Sequence, residues 1–432
     1  RVIYQTDGTD VEYVFGFDQR KASTNGFTFA LNASVAGSAN GAYIVGSSPS
    51  AFYVNTFTNA SGTEINAVIT DFLQRGFVQF DQQVSSLTPI DTTLEGFSEA
   101  KAINQNLQVA GISSVGVTQL ITDGIAQCNS DTITVPIEIC LFELKTRIQE
   151  QFIKRATVWQ LDAQGRVMSS QPYSLSFTPE ADDTRNFSNE ALDINNAGVA
   201  VGNGTVLFNN RGVTAAMLFE NGVTRRLIEA DDRLPNFATG INDAGLVTGY
   251  QIQGINNQGR AKFFTYDIQT EELKFPSDFF LSSSTFPRAI NNSGMIVGDA
   301  EVEATQRQRR RAAFIYDSQT DKFSNLNDLT ACDSPFTLVS ANSINDSNVI
   351  VADAVVLRGV KNIRGEVIVD TDGNEILETA VVAVKLTPTG GEAPDCSGTT
   401  GEDTPVERQG ASNSLLFLII LAGFSVFRRF RL

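Results

Sequence analysis

Forty-nine Asp and Glu residues and no His decide which chemistry this 432-residue chain can offer. Without an imidazole, Ser-His-Asp and Cys-His nucleophilic mechanisms are closed, and so are His-ligated zinc sites. There is no P-loop, no Gly-x-Gly-x-x-Gly behind a strand and no Gly-x-Ser-x-Gly elbow. Carboxylate chemistry survives, because two or three acidic side chains converging on one face suffice to cleave a glycosidic bond. Spacing ranks none of the forty-nine, so no catalytic, cofactor-binding or metal-ligating residue is named. Calcium is the one ion weighed, at Asp370-Thr371-Asp372-Gly373-Asn374-Glu375. The EF-hand spacing fails there, since Glu375 stands where Gly is required. Asp-Gly between Val367-Ile368-Val369 and Ile376-Leu377 reads instead as a hairpin turn. The one basic run, Arg307-Gln308-Arg309-Arg310-Arg311, falls between two expected strands and reads as a solvated hairpin tip.

The elements that would position such groups are repeats. A nonapeptide recurs as Ile194-Asn195-Asn196-Ala197-Gly198-Val199-Ala200-Val201-Gly202, as Ile241 to Gly249 and as Ile290 to Gly298. Weaker copies run from Ile103 to Gly111 and from Ile344 to Ala352, and a degenerate one from Ser38 to Gly46. From Ile194 onward the Ile-to-Ile steps are 47, 49 and 54 residues. Each copy reads as strand, turn, strand, because Asn, Asp and Gly tolerate positive φ and Val and Ile favour a buried pleat. A second block follows, as in Ala261-Lys262-Phe263-Phe264-Thr265-Tyr266, Ala312-Ala313-Phe314-Ile315-Tyr316 and Ala156-Thr157-Val158-Trp159. A polar turn and a short apolar strand come after it. Four short strands per period of about fifty residues is the size of a propeller blade, which must stack on its neighbours to bury its faces. The fold expected is all-β, a β-propeller-like array of six to seven four-stranded blades. The Asn of Ile-Asn reads as a turn residue satisfying its own backbone, against a ring of ligands round a channel.

Two stretches interrupt the pattern. The first lies inside the 91 residues between Ile103 and Ile194. Pro136, then Ile137, Leu141, Leu144, Ile148 and Phe152, predict an amphipathic helix packed on the domain, within an insertion spanning 115–154. The second, Ala60 to Thr93, reads as a further helix near Ile65, Val68, Ile69, Phe72 and Leu73. At the start, Val2-Ile3-Tyr4 and Val11 to Phe15 predict a hairpin, expected to complete a blade with the C-terminal strands. Ala51-Phe52-Tyr53-Val54 reads as the second block of the degenerate copy.

The tail sets the address. The repeat domain spans 1–387, a Gly-, Thr-, Pro- and Glu-rich linker 388–412, an apolar helix 413–427 and a basic tail 428–432. The apolar run nears the lower limit of a membrane span, and Arg428, Arg429 and Arg431 should stay cytoplasmic. The chain begins with Arg, which fits removal of a signal peptide or a fragment. Net charge is −17, and −20 without those three arginines, which argues against nucleic acid as a partner. In an exported chain, four cysteines read as two disulfides. Cys128 with Cys140 and Cys332 with Cys396 is the favoured arrangement among the three that satisfy the count, and a four-Cys metal site lacks any Cys-x-x-Cys pair.

The Ile-Asn-x-x-Gly-x-x-Val-Gly and Ala-Phe-x-Tyr blocks resemble the HAF-type extracellular repeats of bacteria, though this chain has no His. The layout resembles an uncharacterised family of exported Gram-negative proteins. Gly410-Ala411-Ser412, the apolar run and the arginines resemble a GlyGly-type C-terminal sorting signal. That resemblance implies cleavage by a rhomboid-type protease and passage to the surface, whereas hydropathy alone supports a membrane-targeted end. The expected function is a non-enzymatic, membrane-targeted binding or scaffold module of the cell envelope, with surface glycan or protein as ligand. The alternative is a carboxylate-dependent carbohydrate-active propeller enzyme. The repeats are uniform and the single Trp, Trp159, sits in a core strand motif, which favours the binding module. Two or three buried carboxylates converging on the channel would favour the enzyme.

Overall fold

A computed structural model describes residues 2–5, 11–14, 16–17, 33–131, 133–228, 234–304 and 309–391. They form a six-bladed propeller. After a separate hairpin of β1 (Val2–Gln5) and β2 (Val11–Val14), blade one contains β3 (Ser34–Ala39) and β4 (Tyr43–Ser48). A second hairpin, β5 (Phe52–Thr58) and β6 (Glu64–Thr70), interrupts it before β7 (Arg75–Phe80) and β8 (Gln83–Leu87) complete the order β3-β4-β7-β8. Blade two is β9 (Ser98–Ile103), β10 (Gln108–Val117), β11 (Phe152–Leu161) and β12 (Val167–Pro172). Blade three is β13 (Asn189–Ile194), β14 (Ala200–Phe208), β15 (Arg211–Glu220) and β16 (Val223–Arg226). Blade four is β17 (Asn236–Ile241), β18 (Leu246–Ile255), β19 (Gln258–Asp267) and β20 (Leu273–Lys274). Blade five is β21 (Thr285–Ile290), β22 (Met295–Glu301), β23 (Arg311–Asp317) and β24 (Lys322–Asn325). Blade six has three strands, β25 (Phe336–Ile344), β26 (Ile350–Gly359) and β27 (Leu377–Leu386). All ladders within the blades are antiparallel, so each blade is a meander.

Blades stack because both faces of each sheet are apolar. Val201, Ala216 and Leu218 of blade three meet Ala238, Val247 and Phe264 of blade four in one buried cluster. Equivalent clusters fill the other seams from blade one to blade six. No cluster joins blade six to blade one among the described residues. Val14, with Phe17 alongside, covers the outer face of blade one. Val351, Leu357 and Val381 on the last blade are exposed. The expectation that the N-terminal hairpin completes the last blade is therefore corrected: β1 and β2 pair with each other in a sheet of their own.

The two glycines of the nonapeptide have separate causes. Gly245 adopts φ +84°, the left-handed conformation that closes the turn. Gly249 lies under a β-bulge of the innermost strand, where an added Cβ would stand 2.1 Å from the Phe237 carbonyl oxygen. In blade six Asn348, at φ +57°, serves the turn, and Ala352 takes the glycine's place opposite the shared bulge between Ala341 and Ser343, in a strand that carries a further register shift between Leu338 and Ser340.

Two sequence expectations change. The stretch from Ala60 to Thr93 contains strands β6, β7 and β8 in place of a helix. Gly76-Phe77-Val78-Gln79-Phe80, and not Ala51 to Val54, supplies the third strand of blade one. The insertion holds two helices, α1 (Gln119–Cys128) and α2 (Ile137–Arg147). α2 ends before Ile148 and Phe152, which lie in its C-cap and in β11. Its buried residues are Ile139, Leu144 and Lys145, while Ile137 is exposed. The face shifts because Leu144 packs on Gly124 of α1 and the Cys128–Cys140 disulfide ties the two helices together. Cys332 is also disulfide-bonded; Cys396, its expected partner, lies outside the described residues. Cross-linking a loop stabilises it by restricting the opened state. Replacing Cys128 and Cys140 by Ser should therefore speed proteolysis within the insertion and leave the blades' melting transition in place, as mass mapping of a limited digest would show.

Candidate functional site at the propeller axis

In blades two to five the Asn of the Ile-Asn turn does two jobs. Its Oδ1 accepts backbone N–H groups of its own turn, as Asn242 does from Leu246 at 2.9 Å and Asn195 from Val199 at 3.0 Å. Its amide then reaches the next blade. Asn104 donates to the Asn195 carbonyl at 2.8 Å, Asn195 to that of Asn242 at 3.1 Å, Asn242 to that of Asn291 at 3.2 Å and Asn291 to that of Asn345 at 3.0 Å. Asn104, Asn195, Asn242 and Asn291 are buried, while Asn345, at the end of the series, is exposed. The ring of ligands and the simple turn residue are thus both incomplete descriptions. These side chains are rungs between blades.

The following residue makes a second, exposed ladder in the same sense. The Asn40 N–H donates to Gln105, that of Gln105 to Asn196, that of Asn196 to Asp243, that of Asp243 to Asn292 and that of Asn292 to Asp346. Together the turns line a polar axial cavity of about 300 Å3. Asp193 sits beside it. Its two oxygens accept the N–H groups of Ile194 at 2.9 Å and Ile241 at 2.8 Å. Burial, with the Asp243 charge adding to it, pushes the Asp193 carboxyl up to about 6 although those two amides pull it down.

The turn end is plain, and the opposite end is elaborated. The β4–β7, β10–β11, β22–β23 and β26–β27 connections all leave from that other end, carrying the β5–β6 hairpin, both helices, the basic hairpin and the 361–376 hairpin. Arg309, Arg310 and Arg311 are each ion-paired, with Glu301, Glu303 and Asp299, so this part of the basic run is no free cationic patch. Asp370 accepts the N–H groups of Asp372 and Asn374, both at 2.9 Å, closing the hairpin turn expected there. On the innermost strands Phe237 and Phe286, with Tyr250 between them, form an aromatic group. The sequence reading missed it by treating the repeats as uniform. The available signal was the departure itself, since blades two and three carry Glu99 and Glu190 at the corresponding strand positions. Gly410, Ala411, Ser412, Arg428, Arg429, Arg431 and the expected membrane helix lie outside the described residues. Among the described residues no helix is long and apolar enough to cross a membrane.

Strand order and seams define a six-bladed β-propeller. A family model, "Protein of unknown function (DUF3466)", matches residues 12–430, and the chain belongs to that family. No curated protein matches. Among solved structures, the chain is similar to the β-propeller domain of the Trilobed protease from Pyrococcus furiosus, at 11% identity and TM-score 0.37 over 83% of this chain and 96% of that one. It is also similar to TolB from Acinetobacter baumannii, at 9% identity and TM-score 0.34 over 73% of this chain and 61% of that one. A puromycin-hydrolyzing peptidase of Mycobacterium tuberculosis is similar at 9% identity and TM-score 0.39, over 85% of this chain and 55% of the peptidase. Likeness this distant carries no argument about ligand or activity.

Proposed function

We propose that this protein is a non-enzymatic binding or scaffold module of a Gram-negative cell envelope, which presents the elaborated end of the propeller to a surface glycan or protein. The resemblance to HAF-type repeats and to a GlyGly-type sorting signal supports export, membrane engagement through the apolar run of residues 413–427 and processing by a rhomboid-type protease. The state of the axial carboxylates carries the choice against an enzyme. Asp193, the one with a raised pKa, has both oxygens held by backbone amides. The carboxylate that acts on it, Asp243, is an exposed turn residue bonded to Asn196. A carboxylate pair for glycoside cleavage needs two acidic groups open to the same bond.

The test is incubation of the purified chain with envelope polysaccharide. Retention of the polymer at unchanged mass is expected. Release of oligosaccharides, lost on Asp193→Asn, would replace this reading with the enzyme. Export is checked separately by the mass of the C-terminal peptide from cell fractions. An end near Gly410 at the surface is expected, and an intact Leu432 in the inner membrane would mean a tail anchor.

A further inference from the structure

Blades four and five carry a built cluster at the innermost strands. Phe237 and Tyr250 stack with centroids 4.7 Å apart and planes 19° from parallel. Tyr250 meets Phe286 edge-on at 4.9 Å and 67°. The Arg311 guanidinium lies over the Phe286 ring, 4.6 Å from its centroid. Two arginines converge on Asp299, whose side chain is nearly buried: Arg288 through Nε at 2.9 Å, and Arg311 through a terminal nitrogen. The cluster therefore holds one surplus positive charge in a chain of net charge −17. Arg288 is 51% exposed. It spends only Nε on Asp299, so both terminal nitrogens are without a protein partner among the described residues. Burial raises the pKa of the Tyr250 phenol, and the nearby Arg288 charge opposes that rise.

We propose that this cluster binds an acidic sugar, with the pyranose ring laid on the aromatic group and its carboxylate held by the terminal nitrogens of Arg288. A guanidinium matches a carboxylate with two parallel hydrogen bonds, which a lysine cannot do. Asp299 fixes the arginine from behind without using that fork. Phe237, Tyr250 and Phe286 are each partly exposed, and an apolar aromatic group with a phenol as polar handle suits one face of a sugar ring. An acidic peptide would satisfy the arginine and leave the aromatic group unused. The site rests on the glycan form of the proposed function and gives it a ligand class.

The probe is a tetramer of galacturonate and its methyl ester, with binding followed by calorimetry at low salt. The acid is expected to bind, and the ester about tenfold to a hundredfold more weakly, as loss of a charge-assisted pair predicts. Arg288→Gln should weaken the acid by a similar factor and leave the ester unchanged. Phe237→Leu should weaken both, and Lys101→Gln, on the innermost strand of blade two, neither. Equal binding of acid and ester by the unsubstituted chain would overturn the proposal, as would full affinity in Arg288→Gln with an unchanged melting temperature. Competition at equal strength by an Asp/Glu tetrapeptide would overturn the sugar assignment. Binding of a neutral glycan that is indifferent to Arg288 and Phe237 would sink this site and leave the module reading standing.

Discussion

Replacing Asn242 by Ala is expected to destabilise the propeller by about 3 kcal/mol. The change removes the cap on the Leu246 N–H and the rung to the Asn291 carbonyl together. The Leu246 N–H left without its cap costs roughly 1 to 3 kcal/mol, while the Asn291 carbonyl keeps the Gly294 N–H and loses only the roughly 1 kcal/mol of one hydrogen bond, about 3 kcal/mol in all. Asn242→Asp separates the two jobs. A carboxylate still accepts the N–H of Leu246, but it cannot donate to Asn291 and sets its charge beside a carbonyl. Asn345→Ala is the control, because Asn345 is exposed and caps only Val349 and Ser347 of its own turn. A loss of about 1 kcal/mol is expected there, typical of an exposed cap. Urea unfolding of the three variants would measure this. Equal losses at Asn242→Ala and Asn345→Ala would mean that the rungs contribute nothing.

Asp193 should make the fold less stable as pH rises. Its folded pKa of about 6 exceeds the ordinary 3.8, so between those values the folded chain binds more protons than the unfolded one. Stability then falls as pH climbs through that window. Below pH ~3 both states hold the proton and the penalty is absent. Above pH ~7 it is complete, at about 3 kcal/mol, since one pKa unit is worth about 1.4 kcal/mol. The other blades carry Gly37, Ala102, Gly240, Ala289 or Ser343 at this position, so Asp193→Ser is a tolerable replacement. The stability difference between the native chain and Asp193→Ser should shift by about 3 kcal/mol toward the variant from pH ~3 to pH ~7. Parallel pH profiles would mean that Asp193 titrates as an ordinary carboxylate.

What was legible in the sequence was local. Ile-Asn-x-x-Gly-x-x-Val-Gly announces its own turn, because an Asx residue and a positive-φ glycine act within five residues. That spacing was enough for strands, blades and an all-β ring. The partner of each Asn amide lies 47 to 54 residues away across blades three to six, where turn chemistry gives no hint of it. The helix face was misread because Gly124 and the disulfide, both outside the periodic run, decide which side of α2 turns inward. Around Ile65 the apolar spacing mimics a helix. In the hairpin, exposed Val54, Ile65 and Val68 break the clean alternation by which a half-buried strand is recognised. The aromatic and arginine cluster could be seen only once blades four and five were side by side.

The ladder of asparagines has a direction, and it counts nothing. Every rung runs from a donor on one blade to an acceptor on the next, and the series ends in solvent at Asn345. A tandem duplication of one period would bring in its own donor and acceptor and leave every existing rung intact. Deleting one would heal in the same way. Relatives built on this scheme can differ in length by whole blades, and unequal recombination between neighbouring repeats is a ready route to new members.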